Sequence, residues 1–375
     1  MKILIAADKF KGSLTAREAC EAIRDGLEES PGGDVEIRIL PVADGGDGMA
    51  RAMLASMGGI WKGAVVSDAM GHPVLGGYAL VGEERKMAVI EMAEASGLWR
   101  MDAGELDPWK ASTFGTGELI KAAIKQGVDK ILLGIGGSAT NDAGTGMAQE
   151  LGYRFLDEAG EEIAEMPEGM EAVHHINREK AIALPEITVA CDVNNPLLGE
   201  RGCTRAYGAQ KGIESGDVER FEKGLQQIAE VVERDLECDY RNKPGAGAAG
   251  GLGFGALAFL DAELKEGFAL VAEEIGLREE IEQADLVITG EGSLDDQSLD
   301  GKAPVGVARL AKELGKPVAI FAGKIDQEMD QQGLFAFSRG LTEGGASVEQ
   351  CMSNAAEILA QTVRDAAEQL KKISE

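Results

Sequence analysis

Apolar residues in this chain arrive in short bursts closed by glycine, proline or an acidic residue, and two different periods alternate among them. Residues 3–7 form a continuous apolar run of the kind a buried strand shows. Thr15-Ala16-Arg17-Glu18 then offers a capping box ahead of a helix whose apolar face is Ala19, Ile23 and Leu27. Val35, Ile37 and Ile39 alternate as a second strand, which Pro41 ends. The same β-loop-α-β grammar returns near the other end, with a strand at 285–289, helical periodicity over 305–314 and another strand at 317–322. Between these regions, 64–67, 74–80 and 87–92 read as short strands punctuated by Gly and Pro, a meander rather than a crossover. The last apolar stripe, Ala356, Leu359, Val363, Ala367 and Leu370 within 348–373, predicts a helix docked on the terminal domain.

A chain of 375 residues exceeds what one core usually serves. The change of pattern near residue 65 therefore predicts an α/β protein of two domains. Residues 1–65 and 285–375 form a discontinuous Rossmann-like domain with a parallel sheet, and 66–284 form an inserted mixed α/β domain. The ligand site is expected in a cleft between the two.

Charge narrows the choice of ligand. Lys plus Arg total 37 against 65 Asp plus Glu, a net charge of −28 that repels nucleic acid and anionic membrane surfaces. A small phosphorylated ligand stays compatible where local lysines or a divalent cation reverse the sign. The 51 glycines against 5% aromatics favour tight loops and backbone contacts over aromatic pockets. Five cysteines without Cys-x-x-Cys spacing indicate neither a disulfide framework nor a zinc site, which suits a reducing cytosol. The first apolar stretch is too short for a signal peptide and no run approaches the length of a membrane span, so a cytoplasmic location is expected. Homo-oligomerisation is left open. With only His72, His174 and His175, acid–base work falls to carboxylates or lysines.

Candidate chemistry collects after the strands. The apolar run 130–133 leads into Gly134-Ile135-Gly136-Gly137-Ser138-Ala139-Thr140-Asn141-Asp142-Ala143-Gly144, where bare backbone adjoins hydroxyl, amide and carboxylate groups suited to a phosphate, its metal or a hydroxylated substrate. Carboxylates follow other strands: Asp8, Asp44, Asp192 after 187–191, and Glu291 and Asp295 after 286–289. Strand C-terminal ends are where α/β folds place ligands. Lys9, Lys11, Lys211 and Lys302 accompany them. No P-loop signature occurs, and Gly245-Ala246-Gly247-Ala248-Ala249-Gly250 matches Gly-x-Gly-x-x-Gly without a preceding strand. It reads better as a close-packed turn before a helix at 254–264.

Several long segments resemble, in order, the bacterial glycerate kinase family of the glycerate 2-kinase type. They are Ala7-Asp8-Lys9-Phe10-Lys11-Gly12-Ser13-Leu14, Pro41-Val42-Ala43-Asp44-Gly45-Gly46, Phe114-Gly115-Thr116-Gly117-Glu118, Gly136-Gly137-Ser138-Ala139-Thr140-Asn141-Asp142 and Cys191-Asp192-Val193-Asn194-Asn195-Pro196. Thr289-Gly290-Glu291-Gly292 follows, with Asp295, Gln297, Ser298, Gly301 and Lys302. The resemblance implies ATP-dependent phosphorylation of D-glycerate to 2-phosphoglycerate with Mg²⁺. It makes Asp192, Asp295, Lys9 and Lys302 the catalytic candidates, with Asp192 and Asp295 also the candidate metal ligands. Gly136, Gly137, Ser138, Thr140, Asn141, Lys11, Ser13, Asp44, Gly45, Gly46 and Glu291 become candidates for binding the nucleotide. Asp47, Met49, Ala143 and Ala209 stand where the family pattern leads one to expect Glu, Thr, Gly and Pro. An NAD-dependent 2-hydroxyacid dehydrogenase, or a non-catalytic hydroxyacid sensor, is the alternative.

Overall fold

The structure is a computed structural model that describes residues 1–29, 35–82, 85–102, 104–295, 302–326 and 333–374. Gln297, Ser298 and Gly301 of the last motif lie outside the described residues. In chain order the strands are β1 (Lys2–Ile5), β2 (Glu36–Ile39), β3 (Gly59–Ser67), β4 (Pro73–Val81), β5 (Met87–Glu91), β6 (Lys130–Gly134) and β7 (Arg154–Leu156). They continue with β8 (His175–Asn177), β9 (Glu186–Ala190), β10 (Glu263–Lys265), β11 (Leu286–Leu294), β12 (Val318–Ile325) and β13 (Phe337–Gly340). The chain divides into two units: Met1–Asp44, Arg51–Gly58 and Gly267–Glu375 form one, Gly45–Ala50 and Gly59–Glu266 the other.

The first unit is built on an all-parallel sheet of order β2-β1-β11-β12-β13. Strand order reverses between β1 and β11, so this is a doubly wound sheet with its switch point at that pair. Ile3, Ile5, Leu286, Ile288 and Phe321 are buried there against Ile23 and Val363 of two covering helices. The first helix, Ala16–Glu28, starts where the capping box places it: the Thr15 hydroxyl accepts from Glu18 N at 3.3 Å, and Glu18 Oε2 accepts from Thr15 N at 2.8 Å. Gly26 lets this helix approach Ala355–Ser374, since a Cβ there would stand 2.9 Å from Val363 Cβ.

The expected C-terminal helix is two helices, Val348–Ser353 and Ala355–Ser374, broken at Asn354. Ser347 and Gln350 form a capping box at the start of the short one, and the Asn354 carbonyl accepts from Ile358 N at 3.1 Å at the start of the long one. The buried stripe is Ala355, Leu359, Val363, Ala366 and Leu370, which moves both alanines one residue from their expected positions.

The second unit carries a mixed six-stranded sheet of order β3-β4-β5-β6-β9-β10. β3, β4 and β5 pair antiparallel, as the meander pattern suggests, while β5, β6, β9 and β10 run parallel. Ile90, Ile131, Leu133 and Val189 pack beneath helix Phe114–Ile124 through Leu119 and Ile120. A neighbouring core joins Phe155, Phe254 and Phe259 to Phe221, Leu225 and Ile228 of helix Val218–Leu236. The helix expected at 254–264 instead covers Ala248–Phe259 and gives way to β10. No helix among the described residues is long and apolar enough to cross a membrane, and all five cysteines are free thiols.

Candidate active site

In the second unit β6 and β9 lie side by side, with Gly134 opposite Ala190 at their C-terminal ends. Just beyond them opens a pocket of about 410 Å³. Gly136, Gly137 and Ser138 line it from the loop after β6, and Asp192 from the loop after β9. Gly45, Gly46, Tyr207, Lys211 and Ala249 contribute further wall. The backbone of Gly136 and Gly137 is exposed, and Gly137 takes the left-handed φ of 72° that a side chain would resist.

Ser138 is the junction of the pocket wall. Its Oγ accepts from Thr140 N at 3.1 Å and from Lys211 Nζ at 3.2 Å, and it lies 3.2 Å from the carbonyl oxygen of Ala249. Lys211 is 2% exposed and also donates to the Thr140 carbonyl at 2.6 Å. Burial brings its ammonium down from 10.5 to about 8, partly offset by Cys203 and Asp142. A lysine in Gln210-Lys211-Gly212 carries no sequence sign of burial. Its setting is made by residues some seventy positions away, which is why the sequence marks it only as one of four lysines near strand-end carboxylates and not as a buried one.

The rest of that loop faces inward. Asp142 is buried and accepts from Thr113 N (2.8 Å), Thr113 Oγ1 (2.7 Å), Gly144 N (3.1 Å) and Gly146 N (3.2 Å), so it ties the loop to helix Phe114–Ile124. Burial raises its carboxyl, and those four donors pull the other way. Thr140 and Asn141 are buried outside the pocket lining, with Asn141 Nδ2 donating to Thr204 Oγ1 at 3.0 Å.

Glu91, at the end of β5, was not anticipated. It is buried, and its two carboxylate oxygens accept from Gly48 N and Ala50 N, both at 2.8 Å, fixing the loop that brings Gly45 and Gly46 to the pocket. Burial raises its pKa against these two bonds. The one sequence sign was an acidic residue closing the apolar run Met87-Ala88-Val89-Ile90.

The glycine run after Pro244 is a packing device. Ala249, Gly250 and Gly251 all have left-handed backbone, and a Cβ on Gly250 would overlap the Thr140 carbonyl and stand 2.7 Å from Asn141 Cα. Gly247 is pressed in the same way against Asn195 and Pro196. These glycines press on the protein's own backbone and do not open a helix directly after a strand, unlike a dinucleotide fingerprint.

The first unit gathers its own polar groups at the switch point. Asp8 N donates to Gly290 O at 2.9 Å, which sets Asp8 beside Glu291. Burial raises the Asp8 carboxyl to about 7, reinforced by Asp44 and Glu291 and opposed by Lys9. Lys302 precedes helix Ala303–Glu313, with its ammonium 3.6 Å from Glu291 and 3.5 Å from Asp295. A cation at a helix N-terminus opposes the helix dipole, and these two carboxylates compensate it. Lys11 is exposed, and Ser13 is in a turn with its hydroxyl donating to Phe10 O at 3.1 Å. Within this unit Asp8, Asp44, Glu291, Asp295 and Lys302 are thus gathered. In the other, Gly45, Gly46, Gly136, Gly137, Ser138 and Asp192 share one pocket.

The model of the glycerate kinase family matches residues 3–371. The chain belongs to the glycerate kinase family. This family member is 40% identical to a glycerate kinase of Bacillus subtilis, covering 99% of the chain and 98% of the relative. It is 42% identical to a glycerate 2-kinase of Escherichia coli over 92% of each chain. The crystal structure of a putative glycerate kinase 2 from Salmonella typhimurium superposes with a TM-score of 0.89 at 38% identity, covering 99% of this chain and 98% of that one. The enzyme is accordingly a phosphotransferase. One departure from the family pattern is visible in its backbone: Ala143 takes φ 52°, the left-handed conformation for which the expected glycine is suited.

Proposed function

We propose that this kinase transfers the γ-phosphoryl group of ATP to the 2-hydroxyl of D-glycerate, giving 2-phosphoglycerate and ADP. The observation that carries this reading is the pocket beyond β6 and β9, where exposed Gly136 and Gly137, Ser138 and Asp192 line a space suited to a small hydroxylated acceptor. Its setting in a chain related to a glycerate 2-kinase supports the choice of acceptor.

Phosphoryl transfer asks a protein for positioning and for compensation of charge. Asp192 accepts the proton of the attacking hydroxyl. Lys302, held by Glu291 and Asp295, and Lys9 offset negative charge on the transferring group. Among the described residues no three His, Cys, Asp or Glu side chains converge as an ion cage. Mg²⁺ needs none, since it is usually held by one or two carboxylates together with substrate phosphates, and the hard oxygens of Asp295 or Asp192 fit that role. When bound, the ion neutralises phosphate charge.

Phosphorus NMR of the mixture formed from D-glycerate, ATP and Mg²⁺ tests the reaction and its position. A 2-phosphoglycerate resonance is expected, and a 3-phosphoglycerate resonance or unchanged ATP overturns the reading. Asp192→Asn and Asp295→Asn are each expected to lower kcat at saturating Mg·ATP by roughly 10²–10⁴-fold. Near-normal turnover in either removes that residue from its role.

A further inference from the structure

We propose that Lys211 is the anchor for the substrate carboxylate, so that the pocket of the second unit selects a singly charged hydroxy acid. This rests on the reading of the chain as a glycerate kinase and assigns a residue to the acid end of its acceptor.

The geometry starts from an ammonium with three N–H donors. Two are used, on Thr140 O at 2.6 Å and Ser138 Oγ at 3.2 Å, both neutral acceptors. Among the described residues no acceptor is bonded to the third, and Lys211 is part of the pocket lining. A side chain 2% exposed thereby stands in the wall of a cavity with its charge uncompensated by any bonded carboxylate. The charged neighbour is Asp142, whose oxygens are already engaged by four donors of its own loop. Burying a cation in this way is costly, and the cost falls when an anion enters beside it.

The identity of that anion follows from the rest of the lining, which carries one lysine and one aspartate, Lys211 and Asp192. A nucleotide polyphosphate brings several negative charges to a lining with no net positive charge. A hydroxy acid brings one carboxylate, which matches the one ammonium, and hydroxyl donors, which match the one carboxylate. Charge-assisted bonds of this kind are the strong ones. Fixing the carboxylate at Lys211 also limits which hydroxyl of the acid can meet Asp192, so the same residue contributes to the position phosphorylated.

The test uses the full chain and the Lys211→Met variant, which keeps an unbranched side chain one atom shorter and removes its charge. Wild type must first give phosphoglycerate by phosphorus NMR; if it does not, the glycerate kinase reading itself fails. Given that activity, Lys211→Met is expected to raise KM for D-glycerate roughly 10–100-fold while KM for ATP stays within about threefold. A raised KM for ATP with an unchanged KM for glycerate overturns the assignment and gives the ammonium to the nucleotide. A second measurement needs no variant. D-lactate is expected to inhibit wild type competitively against glycerate, and its neutral amide, lactamide, at least about tenfold more weakly. Equal inhibition by acid and amide overturns the proposal.

Discussion

Replacing Gly250 by alanine separates two physical roles for a glycine-rich segment, since a cradle for ligand phosphate and a packing joint respond differently to one added methyl. At φ 68° an alanine is left-handed, which costs about 1–2 kcal/mol. Its Cβ would overlap the carbonyl oxygen of Thr140 and stand 2.7 Å from Asn141 Cα and 2.8 Å from the Thr140 carbonyl carbon. All three atoms are backbone, so no rotamer change relieves the overlap, and overpacking adds roughly 1–3 kcal/mol. The segments that must part are joined by the Ala143 N–H to Gly250 O bond of 3.1 Å. The expected destabilisation is therefore about 2–5 kcal/mol. Urea unfolding followed by tryptophan fluorescence reads it in the right place, because Trp61, Trp99 and Trp109 all belong to the second unit. Gly216→Ala is the control: no atom lies within 4 Å of its added Cβ, and a change within about 1 kcal/mol is expected. The reasoning fails if Gly250→Ala unfolds within about 1 kcal/mol of wild type. It also fails if the variant keeps wild-type stability and loses only affinity for ATP, the mark of a cradle.

Two further outcomes concern buried charge. Lys211 has a folded pKa of about 8 against 10.5, so between these values the unfolded chain binds the additional proton and stability rises with pH. Wild type should gain about 1 kcal/mol relative to Lys211→Met between pH 7 and 9 by urea titration; Asp142 and the Cys203 thiol, pushed up to about 12, are shared by both proteins, and parallel curves refute it. Asp8 has the opposite sign: its folded carboxyl holds a proton up to about 7 against 3.8, so its contribution to stability is present at low pH and lost as pH rises through that window. Asp8→Asn should gain about 2–4 kcal/mol on wild type between pH 4 and 8 in thermal melts followed by circular dichroism, and a constant difference between the two contradicts it.

What could be read from the residue order was whatever local chemistry decides. The Thr15–Glu18 box, the apolar strand runs and the carboxylates placed at strand ends involve partners a few residues apart or a rule of fold geometry. Asp8 and Asp192 stand just beyond a strand, as that rule requires, whereas Glu291, expected after a strand ending at 289, lies within β11, which runs on to Leu294 and pairs Glu291 with Ala322. Asp142 shows where such reasoning stops: in sequence it is a polar residue in a glycine loop, and only its bonds to Thr113, 29 positions earlier, turn it inward as a structural tie. Lys211 is the converse, a surface-type residue buried because residues 71 and 73 positions away supply its acceptors. The final helix breaks at Asn354, whose backbone leaves the helical region (φ −126°, ψ 36°) and whose carbonyl accepts from Ile358 N to start the next helix, a local backbone event that the apolar stripe alone does not register.

The central pairing of the first unit joins Ile3 to Leu286, 283 residues apart, and the whole second unit lies between them. On a ribosome that adds about 5–20 residues per second, β1 waits roughly 15–60 s for β11 to be made. The run Gly59–Glu266 has all of its six-stranded sheet by then and can close its core first. During that interval Ile3, Ile5 and Ile23 have only the β1–β2 pair of a five-stranded sheet to pack on, so the nascent amino-terminal segment, rather than the inserted unit, is where chaperones and aggregation would compete for this enzyme.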